Sequence, residues 1–111
     1  MKRLKARYGC PVELALDFVG GKWKTVILAR LKQAPHRYGE LRASIGGISD
    51  KVLTERLKDL ERLELVEKHE DGTATVYRLT TRGESLRPIL DALYQWGDAA
   101  ADDLPVMVRR T

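Results

Sequence analysis

The stretch "GGISDKVLTERLKDLERL", residues 46–63, decides the fold that the sequence predicts. Two consecutive glycines indicate a turn, and Ser49 is a favourable N-cap for a helix that follows it. Leu53, Leu57 and Leu60 recur at helical spacing and form one apolar stripe. The stretch therefore predicts a tight turn and an amphipathic helix, whose four acidic and four basic residues leave it with no net charge.

Three further helices and a short strand are predicted upstream. Cys10-Pro11 marks the start of the first helix and makes Cys10 its N-cap, because proline is preferred at the first helical position. The second helix covers "KWKTVILARLKQA". The next segment, "HRYGELRASI", has room for a short strand at Arg37-Tyr38 and a two-turn helix, which the two glycines end.

Downstream, the sequence predicts a β-hairpin and a long helix. "LVEKH" and "ATVYRL" flank "EDGT", in which Asp71-Gly72 is a strong turn signal, so we assign a hairpin to residues 65–79. The following segment opens with a T-x-x-E capping box from Thr81 to Glu84. Pro88 lies inside this run and predicts a kink or a later start of the helix.

This order of elements predicts a mainly α protein with a small β-hairpin (α+β). A short helix, a glycine turn and a longer amphipathic helix make a helix-turn-helix, and a hairpin directly after it is a wing. We assign residues 1–111 to one winged helix-turn-helix domain with additional N- and C-terminal helices. Residues 1–9 would form a basic arm and residues 104–111 a flexible tail.

The composition is that of an ordinary globular protein, with 43% hydrophobic and 32% charged residues. No apolar run approaches the length of a transmembrane helix, and the basic start lacks the apolar region of a secretory signal. The one cysteine cannot form an intrachain disulfide. We therefore expect a cytoplasmic protein.

The net charge of +4 is unevenly distributed along the chain. Residues 22–42 hold six basic residues against one acid, whereas residues 80–103 hold two basic residues against five acids. This asymmetry indicates a polyanionic partner for the first half of the chain. An uneven surface charge without any partner is the alternative.

Three long motifs also occur in the order known from one protein family. They are "CPVELALDFVGGKWKTVIL", "HRYGELRASIGGISDKVLTERLKDLERLELVEK" and "VYRLTTRGESLRPILDALYQWG". The first begins at residue 10 and the last ends at residue 97, and the match covers roughly residues 8–98. By these motifs the sequence resembles the HxlR-type winged-helix transcriptional regulators. The resemblance implies a homodimer that binds operator DNA, with the terminal helices in the dimer contact. It also implies, as in some members, a response to oxidants or electrophiles through the cysteine of the Cys-Pro motif.

The sequence departs from the family pattern in two places. Glu64 stands where the family usually has a glycine after the recognition helix, and a glutamate in a left-handed cap is strained. We therefore expect that helix to end differently. The wing at 65–79 is compact and lacks the proline that is frequent in the family, which changes its expected contacts.

Helical geometry sorts the charged side chains of residues 49–63 by face. Opposite the leucine stripe lie three basic residues and one acid, with Thr54 on the flank, so the outward ridge is basic although the helix is neutral. The N-terminal part of the second helix of a helix-turn-helix approaches the base edges. The residues that we expect to read bases are therefore Ser49, Lys51, Thr54 and Glu55.

Phosphate contacts are expected from positions further along this helix, from the strand and helix before it, and from the wing. These residues are Lys58, Arg62, Arg37, Arg42, His69 and Thr73. The alternative is a solvated face, in which Glu55–Lys58 and Asp59–Arg62 form exposed pairs. We assign Arg56 a structural role and expect it to pair with Glu40 or another acid.

Two other classes of protein compete with a DNA-binding regulator. A winged helix that binds only proteins would have a neutral outward ridge, and the ridge here is basic. A small thiol enzyme would need a histidine or a second cysteine arranged with Cys10, and no motif supplies one. We therefore predict a protein that is not an enzyme.

Cys10 is the candidate regulatory thiol. Unpaired N–H groups at a helix N-terminus favour the thiolate, whereas Glu13 and Asp17 oppose it. The alternative is that Cys10 is only a small residue that caps the helix. Because the chain has no second cysteine, a sensing thiol would have to bond that of a second copy, take up a small thiol, or be alkylated or oxidised.

The last helix has a wider apolar face than a small core requires, which predicts a homodimer. We assign to the dimer interface Leu86, Ile89, Leu90, Leu93 and Trp96. We assign to the core and interface the aromatic residues Trp23, Tyr38, Tyr94 and Trp96. His36 and His69 lack Cys, His or Asp companions at metal-ligand spacing, so we predict no metal and no cofactor.

Overall fold

A computed structural model describes residues 4–70 and 72–109. The elements in these ranges are α1 (Pro11–Val19), α2 (Lys22–Gln33), β1 (His36–Arg37), α3 (Tyr38–Ile45), α4 (Asp50–Arg62), β2 (Val66–Glu70), β3 (Thr75–Leu79), α5 (Thr81–Glu84) and α6 (Arg87–Asp103). This order confirms the predicted winged helix-turn-helix fold. Outside the described residues lie Lys2 and Arg3 of the predicted arm, Asp71 of the predicted turn and the last two residues of the tail.

The core joins three helices and the hairpin. Ile27 and Leu28 of α2, Leu41 of α3, and Leu53 and Leu57 of α4 are all at most 1% exposed. Each such side chain contributes about 1.5–3 kcal/mol through burial. The inward face of α4 is therefore fixed by packing, which also fixes the face that it turns to solvent. No helix of the described ranges has the length and apolarity needed to cross a membrane.

The hairpin and the short strand form one antiparallel sheet in the order β1-β3-β2. The strand before α3 covers His36–Arg37 rather than Arg37-Tyr38, because Tyr38 is already helical. The Glu40 side chain accepts the Arg37 backbone N–H at 2.8 Å, and this capping interaction starts the helix one residue earlier than predicted.

The end of α4 contradicts the expectation that Glu64 would change it. Glu64 adopts the left-handed conformation at φ 59°. Its N–H donates to the Glu61 carbonyl at 2.9 Å, and the Leu65 N–H donates to the Leu60 carbonyl at 3.0 Å. This is the hydrogen-bond pattern of a Schellman motif. The expectation was wrong because this hydrogen bonding and the burial of Leu65, which is 1% exposed, outweigh the backbone strain. The exposed ion pair from Glu64 to Arg82 at 3.2 Å adds little.

The segment after the hairpin also begins differently from the predicted capping box. Thr80, not Thr81, is the N-cap of α5, and its hydroxyl accepts a backbone N–H of the first turn. The Glu84 carboxylate forms an ion pair with Arg87 at 2.7 Å instead of accepting a backbone N–H at the helix cap. The long helix α6 starts at Arg87 with Pro88 in its first turn, which confirms the predicted later start.

The C-terminal tail reaches back to the end of α3. Arg109 Nη2 donates to the carbonyls of Ser44 at 2.9 Å and Ile45 at 3.0 Å. Arg30 Nε donates to the same Ser44 carbonyl at 3.4 Å, and burial, with a smaller effect of Arg109, lowers the pKa of Arg30. These two guanidinium groups occupy carbonyls that the end of a helix leaves without partners. The flexibility assigned to residues 104–111 stays a prediction.

Candidate nucleic-acid interface

Helix α4 begins at the residue that the sequence indicates. The Ser49 hydroxyl accepts the Val52 N–H at 3.1 Å, which satisfies one of the free N–H groups of the first turn. Ile48, directly before the cap, is 4% exposed and lies in the same buried cluster as Leu53. The start of α4 is therefore anchored on both sides of Ser49, and the side chains of its first turns have defined positions.

The outward ridge of α4 is exposed as predicted. The exposed side chains on it are those of Lys51, Thr54, Glu55, Lys58 and Arg62. Within residues 4–70 and 72–109, Lys51 and Lys58 have no ion-pair partner, so their charges are available to a ligand. A row of cations on an exposed helix face is suited to a polyanion.

Most of the negative charge of α4 lies on its flank. Asp59 is 7% exposed, and its carboxylate forms ion pairs with Arg56 Nη1 at 3.1 Å and with Arg62 Nη1 at 3.7 Å. Of the two pairs that would mark a solvated face, Asp59–Arg62 forms, whereas Glu55 lies 3.4 Å from Arg56 instead of pairing with Lys58. Arg56 thus pairs with Asp59 and Glu55 rather than with Glu40.

Two exposed arginines precede α4 in the chain, and one of them contacts its start. Arg37 is exposed at the end of β1. Arg42 of α3 is also exposed, and its guanidinium lies 3.3 Å from the Asp50 carboxylate and donates to the Ile48 carbonyl at 3.4 Å. Arg42 therefore has an acidic neighbour that the sequence did not indicate.

Tyr38 belongs to the same surface, although the sequence assigned it to the core or interface. Its ring packs against the buried cluster, but its hydroxyl donates to Asp50 Oδ1 at 2.9 Å and lies 3.3 Å from Thr54 Oγ1. These contacts join the first residue of α3 to residues 12 and 16 positions further along the chain, in α4. No local pattern of residues in the sequence could have indicated them.

The wing presents fewer cations than the helix. His69 is exposed on β2 opposite Val76, and Thr73 is exposed in the connection between the strands. Gly72 has φ 91°, the left-handed conformation that the tight connection requires. Glu67 and Arg78 pair across the strands at 2.8 Å, so this arginine is partly neutralised.

Cys10 is exposed and is the N-cap of α1, as predicted. Its side chain makes no capping hydrogen bond, while its carbonyl accepts the Glu13 N–H at 3.1 Å. The Glu13 carboxylate turns back to accept the Gly9 N–H. Cys10 is thus accessible to solvent, and the acidic side chain of Glu13 turns back toward the start of the helix.

Helices α1 and α6 expose apolar side chains. Val12 and Leu16 of α1 are 63% and 56% exposed, and Trp96 of α6 is 76% exposed. Ile89 and Leu93 are 41% and 50% exposed on the same helix. Both helices therefore present several large apolar side chains to solvent.

Two residues assigned to the dimer interface pack on the core of the protomer. Leu90 is 2% exposed and lies in the core cluster, and Leu86 is half-buried against that cluster. An ion pair between Lys32 of α2 and Asp91 at 2.5 Å holds α6 against α2. The sequence could not separate the two faces, because one apolar stripe on α6 serves both the protomer core and the exposed surface.

Helices α3 and α4, the turn between them and the β2–β3 hairpin define the class of the protein, a winged helix-turn-helix. The chain belongs to the HxlR-like helix-turn-helix family, which it matches over residues 18–104. It is 40% identical over 93 residues to an HTH-type transcriptional regulator of Methanothermobacter thermautotrophicus, over 81% of this chain and 71% of that one. It is 36% identical over 93 residues to the HTH-type transcriptional regulator YodB of Bacillus subtilis, over 80% and 83% of the two chains.

Solved structures agree with this assignment. The redox regulator HypR in its oxidized form has a TM-score of 0.77 at 32% identity, over 81% of this chain and 96% of that chain. Quinone-bound YodB from B. subtilis has a TM-score of 0.69 at 35% identity, over 81% and 99% of the two chains. The resemblance seen in the sequence is confirmed, and the chain is a helix-turn-helix transcriptional regulator.

Proposed function

We propose that the protein binds double-stranded operator DNA as a homodimer, with residues 49–63 in the major groove and the wing, residues 65–79, along the backbone. The observation that carries this proposal is the ridge of α4, where Lys51 and Lys58 are exposed and without ion-pair partners among the described residues. Long-range attraction to phosphate supplies most of the affinity of such a surface. A protein with this role works in the cytoplasm.

The base-reading residues in this proposal lie at the N-terminal end of the helix. Lys51 can donate to guanine, Thr54 can contact the thymine methyl group, and Glu55 can accept from the cytosine amine. Ser49 is the fourth candidate, with its hydroxyl shared between the helix cap and DNA. These four side chains are exposed on consecutive turns, which a helix in the major groove requires.

The residues proposed to meet phosphates surround this group. They are Lys58 and Arg62 on the helix, Arg37 and Arg42 before it, and His69 and Thr73 on the wing. Contacts to phosphates fix the position of the helix in the groove and carry no sequence information. The compact wing has few cations, so most of this contribution comes from α3 and α4.

The proposed dimer joins the exposed apolar faces of the terminal helices. Ile89, Leu93 and Trp96 of α6 are at least 41% exposed, as are Val12 and Leu16 of α1. One helix-turn-helix reads a short half-site, so a dimer is needed for useful specificity. Symmetric association of these faces would place two recognition helices on one side of the duplex.

We propose Cys10 as the thiol through which the regulator responds to oxidants or electrophiles. Its exposure at the start of α1 supports this role. Two of the similar solved structures support it as well, since one is the oxidized form of HypR and the other is quinone-bound YodB. Because α1 also carries part of the proposed dimer face, a modified Cys10 would change how two protomers meet.

Selection of genome fragments on the purified protein, followed by gel-shift titration of the recovered fragments, tests the DNA-binding proposal. Lys51→Ala should weaken operator binding and change which bases are preferred at one position. Lys58→Ala, at a proposed phosphate contact without an ion-pair partner among the described residues, should weaken binding to every duplex evenly and flatten the salt dependence by about one ion. If both variants bind with the affinity of the wild type, these residues do not form the DNA surface.

A further inference from the structure

Asp50 is an acid at the place where DNA is proposed to approach most closely. It is the first residue of α4, and its side chain is 64% exposed. A carboxylate at this position repels phosphates. A negative charge also suits a helix N-terminus, but that role would not require the particular contacts that Asp50 makes.

The Asp50 carboxylate connects two of the proposed DNA contacts. Its Oδ2 lies 3.3 Å from Arg42 Nη1, and its Oδ1 accepts the Tyr38 hydroxyl at 2.9 Å. The same hydroxyl lies 3.3 Å from Thr54 Oγ1. One exposed carboxylate therefore holds a side chain proposed to bind phosphate and, through Tyr38, orients a side chain proposed to read a base.

We propose that Asp50 is a specificity-determining residue that weakens binding to non-operator DNA, and that Tyr38 is the positioning residue through which it acts on Thr54. This inference rests on the proposed DNA binding. Binding to arbitrary sequence depends on the number of phosphates neutralised. An arginine that is paired with a carboxylate contributes less to that number, so non-operator DNA loses affinity.

Operator DNA compensates for this loss because Thr54 is held in position to contact its base. Discrimination between two ligands is the difference between their binding free energies. A repulsive group that acts mainly on the wrong ligand makes that difference larger. Asp50 therefore lowers the affinity for both kinds of DNA, but lowers it more for the kind that offers Thr54 no matching base.

The test is a fluorescence-anisotropy titration of two duplexes over a series of salt concentrations. One duplex is an operator fragment recovered by genome-fragment selection, and the other has the same composition in shuffled order. Asp50→Asn should raise the affinity for the shuffled duplex by about fivefold at 0.1 M salt and steepen its salt slope by about one. The affinity for the operator should rise less, so that the ratio of the two affinities falls.

Three further variants separate this role from a structural one. Asp50→Glu keeps the charge and should retain most of the discrimination. Tyr38→Phe keeps the packed ring and should weaken binding to the operator without changing binding to the shuffled duplex. Glu84→Gln is the matched control, since Glu84 is also an exposed carboxylate paired with an arginine, Arg87 at 2.7 Å, and it lies on α5. This control should change neither affinity.

An unchanged affinity ratio and salt slope in Asp50→Asn would overturn the inference while leaving DNA binding intact. A parallel fall of both affinities together with the melting temperature would assign Asp50 a purely structural role at the helix N-terminus, which also overturns it. A wild-type protein that binds the two duplexes equally, or neither of them, would overturn the proposed function and the role of Asp50 with it.

Discussion

Glu64 is the residue at which local preference and the observed structure differ most. It has φ 59°, a conformation that costs a residue with a side chain about 1 kcal/mol relative to glycine. Its ion pair with Arg82 is exposed at both ends and compensates little. The position is held by the Leu65 N–H, which bonds the Leu60 carbonyl, and by burial of the Leu65 side chain.

Two substitutions at Glu64 isolate the backbone strain. Glu64→Gly and Glu64→Ala both remove the ion pair, but only glycine adopts the left-handed conformation without strain. We expect the free energy of unfolding, measured by urea denaturation, to be about 1 kcal/mol larger for the glycine variant than for the alanine variant. An alanine variant as stable as the glycine variant would show that Glu64 is not strained.

Single residues also show what could be predicted from the sequence. The Ser49 cap and the leucine stripe of α4 depend on neighbours within a few positions, and both were predicted correctly. The contact between Tyr38 and Asp50 depends on how α3 and α4 are placed relative to each other, and periodicity does not contain that placement. The left-handed Glu64 was missed because a glycine is the usual signal for such a cap.

At the scale of elements, one apolar stripe on α6 includes both side chains that pack in the core and side chains that are exposed to solvent. Leu90 faces the core at 2% exposed, whereas Trp96, about two turns later, is 76% exposed. Periodicity alone grouped them together. The division between the two faces comes from the packing of α6 on α2, which the Lys32–Asp91 ion pair supports.

Truncation on each face of α6 should have a different effect. Leu90→Ala should lower the free energy of unfolding of the protomer by about 2–4 kcal/mol, because it leaves a cavity in the core. Trp96→Ala should leave the fold intact, as judged by circular dichroism, and shift sedimentation toward the monomer at micromolar concentration. A Trp96→Ala protein that sediments like the wild type would remove this residue from the proposed interface.

At the scale of the whole molecule, the exposed thiol and the proposed dimer surface are carried by the same helix. Cys10 caps α1, and Val12 and Leu16 of that helix expose their side chains. In the proposed dimer, a group added to Cys10 would therefore change the relative position of the two protomers and the spacing of their recognition helices. Coupling of this kind typically amounts to between about 1 and 3 kcal/mol.

Treatment with benzoquinone tests this coupling. Alkylation of Cys10 should change the affinity of the wild-type protein for operator DNA by about tenfold. Cys10→Ser should show the same affinity before and after treatment, since the chain contains no other cysteine. Mass spectrometry must show the added group on the thiol of the wild type. A fully modified protein with unchanged affinity would leave Cys10 as a helix cap only.

The central claim is that two copies of α4 bind one face of a DNA duplex, and hydroxyl-radical footprinting of a selected operator fragment tests it most directly. We predict two protected segments on each strand, with centres about one helical turn, or 10 base pairs, apart. Lys51→Ala at the same concentration should weaken both segments equally. A fragment without protection, or with one protected segment alone, would contradict the claim.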